Sequence, residues 1–163
     1  MSVERMKTIM TTMIECHDAL YALAVEKTEA VKGGNAPALS EITKKESPLV
    51  EKLRALEKER SAIVEADLGD DGAGATFAEW EQAVVEEKER GDWQRIYLDL
   101  ANSVYALKQV NTLNQELLRD SLLWVKLNMG LLRPKTHTLN NYQNPRDGQA
   151  PSSVFSGRID SRT

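Results

Sequence analysis

The sequence predicts an all-α protein. It should be a long antiparallel helical hairpin or bundle of three long helices plus one short helix, ending in a flexible C-terminal tail. Two observations lead there. Apolar residues recur in alternating steps of three and four along the first 67 positions, the rhythm of helices that pack along a seam. No Pro or Gly falls between Trp93 and Met129, which leaves room for one uninterrupted helix. Aromatics at 6% are poor material for a β-sandwich, and 163 residues suit one domain with a tail rather than two domains.

The first helix is expected from Ser2 to Val31, with a seam of Met6, Ile9, Met13, Cys16, Leu20, Leu23, Lys27 and Ala30. Met10, Ile14, Tyr21, Ala24 and Val25 widen the stripe enough to touch two neighbours. Gly33-Gly34 should end it, since glycine accepts the left-handed cap conformation. Asn35 and Pro37 restart the chain, and the second helix should reach about Asp67. Its seam is Leu39, Ile42, Glu46, Leu49, Leu53, Leu56, Arg60 and Ile63. Glu46 and Arg60 either lie at a seam edge and snorkel to water, or form polar pairs that align the helices. Pro48 removes a backbone donor and crowds the preceding turn, so a kink or break is expected near Ser47.

Leu68–Ala75 holds three glycines and two acids and reads as a mobile loop. Its oxygen spacing does not fit a calcium loop, and no Glu closes it. Thr76 and Glu79 form a capping box that opens a short helix to about Arg90, with Phe77, Trp80, Val84 and Val85 on its buried side. Gly91-Asp92 should interrupt the chain, and Asp92 should cap a last helix over Trp93–Leu132, roughly 60 Å long. Residues 1–132 thus form the bundle domain. Residues 133–163 form the tail, which carries Pro134, Pro145 and Pro151 and few large apolar residues, and is expected to be disordered alone. The tail's five basic residues (Arg133, Lys135, Arg146, Arg158, Arg162) outnumber Asp147 and Asp160, a net of +3 against −7 for the bundle.

Net charge of −4 disfavours nucleic acid and anionic membranes as partners. The sequence has no apolar run long enough to insert in a membrane. It shows no signal-peptide core, and Cys16 stands alone, which together favour a cytoplasmic protein. Little supports an enzyme. His17 and His137 lie far apart in sequence, and the neighbours of His17 point to other faces of its helix. Phosphate-loop, dinucleotide, nucleophile-elbow and zinc-helix motifs are all missing, so no cofactor, no catalytic residue and no metal site is assigned.

The last helix is the unusual element. From Leu117 onward its apolar residues surround much of the circumference, while Asn111, Asn114, Ser121 and Asn128 enter the stripe. The first two helices are too short to cover all of it, so part of Leu117–Leu132 should lack an internal cover. Such a strip is either a self-association face, giving a homodimer or a structural coiled-coil adaptor, or a landing site for a partner's amphipathic helix.

The run Asn111-x-x-Asn114-x-x-Leu117-Leu118-x-x-Ser121-Leu122 resembles the C-terminal helix of the FlgN family of flagellar type III export chaperones. The second helix, with Leu39, Ile42, Glu46, Leu49-Val50, Leu53, Leu56-Glu57 and Arg60, is similar to that family's leucine rhythm around a Glu and a later Arg. Ser152-Ser153-Val154-Phe155 resembles its tail ending; Tyr142 is followed by Gln143 where family tails often have Tyr-Gly, and Pro48 is a second departure. The resemblance implies binding without catalysis. The implied partners are the hook-associated (hook–filament junction) proteins, held by their helical terminal segments, and the flagellar export apparatus. On this reading the contact strip is Asn111, Asn114, Leu117, Leu118, Ser121, Leu122, Trp124, Val125 and Asn128, extended by Tyr142.

Overall fold

The computed structural model describes residues 2–69 and 74–132. The elements are α1 (Ser2–Lys32), α2 (Ala36–Leu68), α3 (Phe77–Val84) and α4 (Arg90–Leu132), with a 3-10 turn over Glu87–Glu89 leading into α4. No strand occurs among the described residues. The expected tail, with Tyr142 and His137, and the centre of the glycine-rich loop lie outside them. Met1–Val125 packs as one unit. Of the remainder only the end of α4 is described.

The α1–α2 corner is built from backbone hydrogen bonds. The Asn35 N–H reaches back to the Ala30 carbonyl at 2.9 Å and the Gly34 N–H to Val31 at 3.1 Å, with Gly34 at φ +63°. This is a Schellman cap, and it needs the left-handed conformation that glycine adopts without strain. Asn35 then caps α2, its side-chain oxygen accepting from the Ala38 N–H at 3.1 Å.

Three expectations change. α2 runs unbroken through Pro48. Pro48 and Lys44 are both exposed, so the carbonyl that loses its donor lies on the wet side of the helix, where water can serve it. α3 stops at Val84 rather than near Arg90, and α4 takes Gly91 and Asp92 into its first turn instead of starting after them. The break falls at Val85 and Glu86, both extended, because Val85 turns its side chain into the core and is buried. Gly91 then costs little, since first-turn N–H groups have no intrahelical partner to lose.

Side-chain contacts set the directions. Arg5–Glu59 (2.9 Å) and Lys27–Glu46 (2.7 Å) pair α1 antiparallel to α2. Ser103 donates to Asp18 at 2.8 Å, and Thr28 donates to Asn114 at 2.6 Å, so α4 runs parallel to α1 with an offset of 85 to 86 residues. Of the two charged seam residues on α2, Glu46 is an inter-helix pair and Arg60 bonds Glu57 on its own helix.

The main core lies where the start of α1, the end of α2, α3 and the start of α4 meet. Met6, Met10, Val64, Trp80, Val85 and Trp93 are buried there. Trp80 is wholly enclosed, meets Trp93 edge-on at 5.4 Å, and donates its indole N–H to Asp67 at 2.8 Å. Phe77 stacks on Tyr97 at 5.5 Å. The capping box forms as expected: the Thr76 N–H donates to the Glu79 carboxylate at 2.6 Å, and the Glu79 N–H to the Thr76 hydroxyl at 3.3 Å.

Trp80→Ala is expected to cost about 3–5 kcal/mol in urea unfolding, the range for emptying a fully packed indole site. Stability should also fall in acid. The Arg60 hydrogen bond holds Glu57, and the Thr76 backbone N–H holds Glu79, below the ordinary carboxylate value of 4.5. Their contribution is complete above that value and is lost as pH drops through the lower folded-state values. Thermal unfolding between pH 7 and 3 should show this decline, and Glu57→Gln with Glu79→Gln should make it shallower, with Glu86, held low by its hydrogen bond from Lys88, still contributing.

Candidate partner-binding groove

The parallel register of α1 and α4 has a geometric consequence. With an offset of 86 residues, Lys32, the last residue of α1, stands level with about Leu118. α4 continues beyond that level. Past Trp93, Asn114 is the only side chain of α4 that is fully buried among those described, at 3% exposure. The large apolar residues that follow stay open: Leu118 at 37%, Leu122 at 61% and Trp124 at 69% exposure, with Leu123 and Val125 also exposed.

Just before the overhang, α1, α2 and α4 enclose a groove of about 360 Å³. Leu20, Val50, Leu107 and Leu118 supply its apolar lining, and Asn111, Asn114 and Gln115 its polar side. The Lys27–Glu46 ion pair also lines it, with both side chains about one-fifth exposed. An ion pair so placed contributes little net energy but leaves a costly charge if one partner is removed.

Asn114 is held by α1. Its Nδ2 donates to the Ala24 carbonyl at 2.9 Å, and its Oδ1 accepts from Thr28. The same heptad position of α4 runs Trp93, Leu100, Leu107, Asn114, Ser121 and Asn128, apolar over the core end and polar afterwards. At Ser121 α1 has already ended, and the hydroxyl turns back to the Leu117 carbonyl at 2.8 Å.

The residues expected on the contact strip therefore take different places. Asn111 and Leu118 line the groove and are exposed; Leu117 and Asn128 are half-buried; Ser121, Leu122, Trp124 and Val125 are exposed; Asn114 is buried against α1. Tyr142 lies outside the described residues. The groove also draws on residues that the sequence reading did not assign to it. Lys27 and Glu46 were visible as charges in two seams; Thr28, which is outside the lining but bonds Asn114, gave no signal, because a threonine beside a seam lysine reads as surface.

Of the two histidines, only His17 lies among the described residues. Cys16 is buried, and Nδ1 of His17 donates to the Met13 carbonyl at 2.7 Å. No group of three or more His, Cys, Asp or Glu among the described residues is placed to hold a metal ion, and no described helix is long and apolar enough to cross a membrane.

The family profile described as FlgN protein matches residues 1–151. The chain belongs to the FlgN family. It is 30% identical over 146 residues to the uncharacterized protein YvyG of Bacillus subtilis (strain 168), covering 90% of this chain and 89% of that one. No solved structure matches it. FlgN proteins are chaperones rather than enzymes and bind flagellar proteins, so membership supports a role in flagellar export.

Thr28→Val should destabilise the FlgN bundle by about 1–3 kcal/mol in urea unfolding, because it leaves the buried Asn114 oxygen without its donor.

Proposed function

We propose that the protein is a cytosolic type III export chaperone. It binds the two hook–filament junction proteins by their helical terminal segments, keeps them from assembling early and delivers them to the export apparatus. The observation that carries this reading is the exposed apolar stretch Leu118–Val125, which continues from the groove between α1, α2 and α4. An amphipathic client helix laid along it would bury its apolar face there. An interface of ordinary size covers about 800 Å² on each partner, a gross gain that ordering and lost translational freedom largely cancel. The resulting affinity permits both capture and release, which a delivery role needs.

The test is size-exclusion chromatography with light scattering, on the chain alone and mixed with each junction protein of the same host. Co-elution at a defined ratio is expected. Leu122→Asp should abolish it while changing stability by no more than about 1 kcal/mol, since Leu122 is already exposed. A stable homo-oligomer that ignores both clients and is broken by Leu122→Asp would instead assign the strip to self-association.

A further inference from the structure

Thr28 and Asn114 are the only buried polar residues among those described, and they are bonded to each other across 86 residues of chain. Their position is notable. Trp93 anchors the start of α4, and Asn114 lies three heptads further on, at the same heptad position. A straight α-helix drifts about 20° per heptad relative to a strict seven-residue seam. Over three heptads the face presented to α1 would turn by about 60° unless something holds it.

Apolar contact alone is a weak hold here. Leu107, Val110 and Leu117 around Asn114 are all half-buried, and a small rotation would exchange one for another at similar burial. The asparagine discriminates. Its amide is satisfied in one orientation only, with Nδ2 on Ala24 and Oδ1 on Thr28, and the wholly buried Ala24 gives it room. Turned away, both groups would be buried without partners or the contact would open.

We propose that the Thr28–Asn114 pair pins the rotation of α4 at the point where α1 ends, and so decides which residues of Leu117–Val125 face the groove and which are offered to the client. They are positioning residues: Asn114 borders the groove, but it is 3% exposed and its amide is turned to α1, so the pair acts through the strip. This rests on the client-binding reading above, but it has a readout that needs no client.

Single cysteines at Gln115 and Leu117, which flank Asn114 on opposite sides of the helix, in a Cys16→Ala background of the whole chain report the rotation by their alkylation rates. Gln115 is exposed and Leu117 half-buried, so the first should react faster. Thr28→Val with Asn114→Leu replaces both partners by apolar groups of similar shape, a change that leaves a fold intact or firmer. In that variant the contrast between the two rates is expected to collapse at constant or raised unfolding midpoint. Affinity for the co-eluting junction protein should weaken by at least about tenfold. Thr28→Ser, which keeps the donor, should retain both the contrast and the affinity. Should leucine overfill the site, Asn114→Val in its place carries the same test. An unchanged contrast in the folded apolar variant overturns the proposal, as does a collapsed contrast with unaltered affinity. If wild-type chain binds neither junction protein, the client reading fails; the alkylation contrast then decides the rotation by itself.

Discussion

A helix of 43 residues cannot be covered along its length by neighbours of 31 and 33. At 1.5 Å per residue the surplus over α1 is about 18 Å, and its location depends on register. The parallel contacts from α1 to α4 begin near the α3 core and bring the end of α1 level with about Leu118. Leu122, Leu123 and Val125 lie past that level and are exposed. Most other features follow from this mismatch. α3 and its aromatic cluster close the core end, and the groove forms where the cover runs out.

The tight core and the exposed apolar surface are thus placed apart. The large fully buried side chains, Trp80, Met6 and Met10, gather at one end with Trp93. Beyond them, the α4 side chains are half-buried or exposed, with Asn114 the exception. Apolar area left exposed at Leu122 and Leu123 forgoes folding free energy of about 25 cal/mol per Å². The tight core supplies stability that makes such exposure tolerable. A substitution on the strip therefore perturbs folding little, and a substitution near Trp80 perturbs it strongly.

The sequence is legible where a local rule decides the outcome. Gly34 and Asn35 set the α1–α2 corner by backbone chemistry that depends on no distant partner, and Thr76 with Glu79 sets the start of α3 in the same way. The uncovered length of α4 was readable too, because it is a comparison of helix lengths. The junction before α4 was not. Gly91-Asp92 carries the stronger local signal for a break, yet the chain breaks at Val85 because burying that side chain outweighs it. Glu46 could be read either way until Lys27 was seen opposite it. Thr28 was silent for the same reason: its meaning lies in a residue on another helix.

The order of polar and apolar residues on α4 shows how one helix serves two surroundings. Where α1 lies alongside, the seam position takes Trp93, Leu100 and Leu107, which need a cover, and then Asn114, which needs a specific partner and has it. Where α1 has ended, Ser121 occupies the position and satisfies its hydroxyl within its own helix. A leucine at Ser121 would join the row of Leu118, Leu122 and Val125 to Leu117 and Trp124 on its other side, making one unbroken apolar surface. Serine there keeps the strip in two apolar rows with a polar line between. Because the hydroxyl is already bonded to the Leu117 carbonyl, that line leaves no donor unmet.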